Sequence, residues 1–131
     1  MTTTLTMVAW MALLTWLTIM LASMFRSRSW TLEGFKLALG NRDNLPPPTP
    51  IAGRAERAMR NTQENFVLFA ALALTAHVAG ADNLQVEQGA QIFFWARVVY
   101  VPVYLAGIAY LRSMVWVVGL YGLARILCAL L

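Results

Sequence analysis

Residues 1–25 carry no charge and are apolar almost throughout. About 20 apolar residues suffice to cross a bilayer as a helix, so the run predicts a first span over about residues 5–26. It has no basic leader segment and further spans follow it, so it reads as a retained helix rather than a cleaved signal. Residues 27–56 are polar. The stretch Leu45-Pro46-Pro47-Pro48-Thr49-Pro50 excludes helix there, because stacked prolines remove donors and fix φ. Trp30–Leu39 has the pattern of a short helix lying at the membrane interface. A second span is expected over 57–80. Residues 88–131 then hold only three charges, Arg97, Arg112 and Arg125. As one helix they would be roughly 66 Å long, about twice a bilayer core, so the segment must fold back. Leu111-Arg112-Ser113, near its middle, is the expected turn, which places spans at 90–110 and 113–131. Pro102 is expected to kink the first of these.

Composition turns this pattern into a class. The 131 residues allow one domain. They are 60 % hydrophobic and 12 % charged, against roughly 45–50 % and about 25 % in soluble domains. So small a chain cannot hide that much apolar surface in water. The expectation is an all-α integral membrane protein with four transmembrane helices. A soluble enzyme, a disordered chain and a disulfide scaffold are excluded.

The net charge of +4 has no nucleic-acid meaning here. Seven of the ten basic residues lie between Arg26 and Arg60, and Arg112 joins them on the same side of the expected topology. An excess of arginine and lysine marks the cytoplasmic side, so both termini face outward. Cys128 is the one cysteine and His77 the one histidine, which leaves neither an intrachain disulfide nor a metal site.

Ionisable groups at membrane depth are costly and default to functional candidates. At about 100° per residue, Arg57, Arg60, Asn61 and Glu64 fall on one stripe of the second span. The spacing pairs Arg60 with Glu64 and Arg57 with Asn61 at i,i+4. Arg97, Tyr100 and Tyr104 share a face of the third span, and Arg112 and Ser113 open the fourth at the same depth as Tyr104. Each arginine has a second reading as a boundary residue that snorkels, and each tyrosine as interface belt. Glu64 has no topological use, and Arg97 needs a partner or a polar cavity. Arginines match carboxylates in bidentate fashion, and Glu64 suits an ammonium. A small zwitterion with extra carboxylates fits such a set, and glutathione is the abundant cytoplasmic example.

The stretch Arg57-Ala-Met-Arg60-Asn61-Thr-Gln-Glu64-Asn65 resembles the second-helix signature of the MAPEG family, the membrane-associated proteins of eicosanoid and glutathione metabolism. Arg97-Val-Val-Tyr100-Val-Pro-Val-Tyr104 resembles its third-helix motif and Leu111-Arg112-Ser113 its fourth-helix start. The Asn41-Arg42-Asp43…Pro46-Pro47-Pro48 loop and Gly53-Arg54-Ala55-Glu56-Arg57 resemble the short bacterial members. The resemblance implies a left-handed four-helix bundle, a homotrimer in a bacterial inner membrane, and glutathione held between subunits near the cytoplasmic side. It implies that Arg57, Arg60, Asn61 and Glu64 hold the peptide, with Tyr100, Tyr104 and Arg97 among the binding residues. Arg112 would stabilise the thiolate, with Ser113 beside it. The activity implied is transfer of glutathione to a lipophilic electrophile, or reduction of a lipid hydroperoxide. Tyr100 and Trp116 differ from the prostaglandin-forming members, which speaks against eicosanoid-specific chemistry.

Other residues have plainer readings: His77 as a hydrogen-bonding helix residue, Cys128 as packing, Arg125 as a boundary arginine, the tryptophans and methionines as interface or packing. A small multidrug transporter has a similar length but needs a carboxylate in its first span, and this first span has none. A non-catalytic accessory subunit of a membrane complex remains the alternative.

Overall fold

The computed structural model describes residues 1–131 and is all-helical. Helix α1 is Thr3–Ser27, α2 Leu32–Leu39, α3 Pro50–Val78, α4 Leu84–Ala106 and α5 Ala109–Leu130. Their starts follow from local chemistry. Thr2, Thr31, Thr49 and Asn83 each accept a backbone N–H from the first turn of α1, α2, α3 and α4, which satisfies one of the donors a helix start leaves open.

Three boundaries differ from the sequence reading, the first being the start of α4, which Asn83 caps at Leu84 rather than near residue 90. Helix α3 begins at Pro50, not near residue 57. Thr49 caps it and Pro50 occupies the first turn, where a missing N–H costs nothing. The turn between α4 and α5 falls at Gly107–Ile108 rather than at Leu111–Ser113. Helix α4 runs through Pro102 and stops where Gly107 adopts φ +78°, a conformation glycine reaches without a Cβ penalty. Arg54 of α3 donates from Nε to the Leu105 carbonyl at 2.9 Å and so ties α3 to this turn. Arg54→Ala is expected to lower stability by about 1–2 kcal/mol, read as the thermal unfolding midpoint in detergent. An unchanged midpoint would show that the bond does not hold the turn.

Helices α1, α4 and α5 are long and apolar enough to cross a membrane. Helix α3 does not reach that composition, because Arg54, Glu56, Arg57, Arg60, Asn61, Gln63 and Glu64 crowd its first half. The chain is a membrane protein with apolar helices, and three rather than four of them qualify on length and composition alone. Helix α4 packs most closely on α5, and α1 on α3; α3 and α1 also meet α4.

The core lies in the half away from the α4–α5 turn. Met11, Phe69, Ala73, Ala76, Val86, Phe93 and Ile126 are buried there, and Phe69 stacks on Phe93 with ring centroids 4.5 Å apart. On α3 the inward stripe runs Ala55, Ala58, Thr62, Asn65, Phe69, Ala73 and Ala76, the helical spacing that lets small residues bring neighbours close. Trp16, Val67, Leu68, Trp95, Val117 and Val118 are exposed, so the outward surface is apolar, as a lipid-facing surface is.

Candidate functional site

At the end of the fold that carries the α4–α5 turn, a cleft of about 270 Å³ is lined by Asn61, Tyr100, Tyr104, Arg112, Ser113 and Trp116. Three helices build it. Asn61 comes from α3. Tyr100 and Tyr104 are one turn apart on α4, and their rings meet edge to face with centroids 5.5 Å apart. Arg112, Ser113 and Trp116 come from the first two turns of α5.

The cleft is cationic. The Arg112 guanidinium lies 4.7 Å above the centre of the Tyr104 ring. That cation–π contact is its side chain's one polar engagement: it donates no hydrogen bond and forms no ion pair within the chain. Arg57 reaches the same tyrosine from α3, donating from Nε to the Tyr104 hydroxyl at 3.2 Å. Tyr104 thus accepts from one arginine, lies under another, and keeps its own phenolic proton for a further partner. No carboxylate lines the cleft. Free guanidinium donors beside phenol, hydroxyl and amide groups make a receptor for an anion. Ser113 donates to the Ala109 carbonyl at 3.2 Å, which leaves its oxygen lone pairs free.

Of the nine residues singled out in the sequence, Asn61, Tyr100, Tyr104, Arg112 and Ser113 line the cleft and Arg57 touches its edge. The other three are placed differently. Arg60 does not pair with Glu64; it pairs with Glu56 at 2.7 Å, a carboxylate at the same four-residue spacing on the other side. Arg57 does not pair with Asn61, whose side-chain oxygen accepts instead from Asn65 at 3.2 Å. Glu64 is exposed and has no hydrogen-bond or ion-pair partner within the chain.

Arg97 is buried and stands behind the cleft rather than in it. It donates to the Thr62 hydroxyl at 2.9 Å and lies 4.0 Å over the Tyr100 ring. Arg97 needs a partner at this depth, and it finds a neutral hydroxyl and an aromatic face, not an acid. Its Nε has no acceptor.

The sequence reading missed two residues. Trp116, read as interface or packing, lines the cleft; it is four residues after Arg112 and so on the same helical face. Thr62, the partner of Arg97, belongs to the stripe of small residues that marks the inward face of α3.

Comparison with curated proteins gives no match, and comparison with solved structures gives none either. A family model does match. It is that of the MAPEG family and covers residues 3–131. That match spans all five helices and every residue of the cleft, and by it the chain belongs to the MAPEG family.

Proposed function

We propose that this protein is a membrane-bound, glutathione-dependent transferase or peroxidase acting on a lipophilic electrophile or lipid hydroperoxide. The observation that carries the reading is the Arg112 side chain, held over Tyr104 in a cleft without a carboxylate and with all its hydrogen-bond donors free. The family holds glutathione transferases and peroxidases as well as non-catalytic members.

The donor set suits glutathione. Its thiolate and carboxylates are anions, and the cleft offers Arg112, the Tyr100 and Tyr104 hydroxyls, the Asn61 amide and Ser113, with Arg57 at its edge. When bound, glutathione supplies the sulfur nucleophile. Arg112 favours the ionised thiol by charge; each pKa unit of such bias is worth about 1.4 kcal/mol. Ser113 and Asn61 orient the peptide, and Tyr104, fixed from both sides by Arg57 and Arg112, donates its phenolic proton toward developing negative charge. Arg97 props Tyr100 from behind. No side chain forms a covalent intermediate. The lipophilic partner arrives through the bilayer, along the apolar surface that Trp116 borders.

The same reading makes the active form a homotrimer. Arg57, Arg60 and Glu64 face outward on α3 beside the exposed apolar Val67 and Leu68. Charges next to lipid are costly unless covered or paired. A neighbouring copy that covers this face brings Glu64 and Arg60 to the rim of a cleft between subunits. Helix α3 then completes a four-span, left-handed bundle with α1, α4 and α5. On this reading the arginines between α1 and α3 mark the cytoplasmic side, so the cleft would open toward the cytoplasm with both termini outside, and the membrane would be a bacterial inner membrane.

Calorimetric titration of glutathione into the detergent-solubilised protein tests this. Saturable binding is expected, at least tenfold weaker in Glu64→Ala. The thermal midpoint of that variant should barely move, because Glu64 holds nothing within its own chain. No heat from a well-folded oligomer would overturn the enzyme reading. Dispersal of the oligomer by Glu64→Ala, with no glutathione binding by either form, would favour a non-catalytic subunit of a membrane complex.

A further inference from the structure

We infer that the protein carries a phospholipid site at the end of α1, separate from the cleft and independent of its chemistry. Two adjoining cavities lie there and share Phe25, Arg28, Thr31 and Thr49. The first, about 320 Å³, is about equally polar and apolar and includes the charged Arg26, Arg28 and Glu33. The second, about 290 Å³, adds Trp30 and Ile51 and is mainly apolar. A cationic chamber that opens into an apolar groove has the chemistry of a phosphodiester joined to an acyl chain.

Depth supports the same occupant. Helix α1 has 25 residues, or about 38 Å at 1.5 Å per residue, against about 30 Å of bilayer hydrocarbon. Its last turn therefore reaches the headgroup layer, and Arg28 follows that turn directly. Arg28 is exposed, and its side chain makes no hydrogen bond or ion pair within the chain. Its backbone is held at φ 53° as the C-cap of α1, and it lines both cavities. Arg26 is anchored by a bond from its guanidinium to the Pro46 carbonyl at 2.6 Å and adds a second positive charge.

Helix α2 supplies the floor. Gly34 packs directly on the backbone carbonyls of Ser27 and Arg28, so no side chain could separate α2 from the end of α1. This turns Leu32, Phe35 and Leu39 outward, where they are 74 %, 51 % and 73 % exposed. Lys36 lies on the same face. An eight-residue helix with such a face is unsuited to water and suited to the interface plane, with Lys36 reaching up to the phosphates. Arg26 and Arg28 against Glu33 leave one net positive charge in the chamber. That favours a lipid of net negative charge, such as phosphatidylglycerol, over a neutral one.

Native mass spectrometry of the full-length protein in detergent tests this. The probes are phosphatidylglycerol, phosphatidylcholine and inorganic phosphate, each added at matched concentration. Phosphatidylglycerol should be retained at least fivefold better than phosphatidylcholine. Arg28→Asn should abolish that preference. It removes the charge, and asparagine suits the left-handed backbone of this position, so the fold is preserved. Ile51→Ser should weaken retention of both lipids. Equal retention of the two lipids, or a preference that survives Arg28→Asn, would overturn the site. Displacement of the lipid by inorganic phosphate would overturn the assignment to a lipid. Because the readout is lipid retention, a failed glutathione titration leaves this result standing, and the reverse holds too.

Discussion

Replacing Arg112 by alanine is expected to cut glutathione-dependent turnover by about 100-fold or more at neutral pH. Loss of one preorganised group that stabilises developing charge costs on the order of 10²–10³ in rate, and the other cation at the cleft, Arg57 at its edge, is engaged with the Tyr104 hydroxyl. The fold should survive, since the Arg112 side chain donates no hydrogen bond within the chain and its one interaction is the face of Tyr104. The pH profile carries the mechanism. If the guanidinium favours the thiolate, its removal raises the bound thiol's pKa, so the rising limb of the profile moves to higher pH and activity recovers in alkaline buffer. The thiolate's ultraviolet absorbance in the complex should move with it. Arg112→Lys keeps the charge and loses the planar fork, so it should retain the pH limb while binding glutathione more weakly. Equal turnover and an unmoved pH limb in Arg112→Ala would remove Arg112 from the chemistry.

Arg112 was legible in the sequence for the same reason as Tyr100 and Tyr104. Helical spacing places residues four apart on one face, and charges are rare enough in apolar spans to stand out. What spacing does not carry is the choice between equivalent partners. Arg60 has an acid four residues before it and another four residues after it; the chain uses Glu56, and the second acid is left facing outward. Depth behind a face is equally hidden. Arg97 shares a stripe with Tyr100 and Tyr104, and all three are buried, yet only the tyrosines border the cleft, because the Arg97 guanidinium folds back under the Tyr100 ring toward Thr62.

The turn before α5 shows the opposite case, a signal present and outweighed. Gly107 marks the end of α4 as glycine commonly does, but Arg112 is the only charge nearby and draws the expected turn toward itself. The polar residues of α3 act similarly at its start. They suggest loop, whereas Thr49 and Pro50 form an ordinary cap and first turn. The turn position matters to the site. With it at Gly107, Arg112 lies on α5 beyond the helix start, where it can face Tyr104 across the α4–α5 seam.

That seam gives the largest expected effect on stability. Helices α4 and α5 touch through their backbones at Gly89 and Gly122. A Cβ on Gly122 would lie 2.7 Å from the Gly89 carbonyl oxygen and 2.8 Å from the Phe93 nitrogen. These are main-chain atoms of a packed helix and cannot step aside, so Gly122→Ala must push the pair apart. Overpacking of this kind costs about 1–3 kcal/mol and occasionally more. Gly119 is three residues earlier on the same helix, but a Cβ there meets the Ala96 Cβ at 3.7 Å and a Phe93 ring carbon at 3.9 Å, which is ordinary contact. Gly119→Ala should therefore be neutral or stabilise by up to about 1 kcal/mol through the better helix propensity of alanine. The two substitutions have the same chemistry and opposite expected signs, read as thermal midpoints in one detergent. Gly89→Ala should resemble Gly122→Ala, since its Cβ would meet the Gly122 carbonyl oxygen at 2.7 Å and the Ile126 side chain at 2.9 Å. The double variant should lose less than the sum of the two, because one opening of the seam relieves both clashes. Full additivity, or a stabilised Gly122→Ala, would show that the helices do not meet there. Since α4 carries Tyr100 and Tyr104 and α5 carries Arg112, Ser113 and Trp116, the same opening should also weaken glutathione binding from about 15 Å away along α5, while Gly119→Ala leaves it intact.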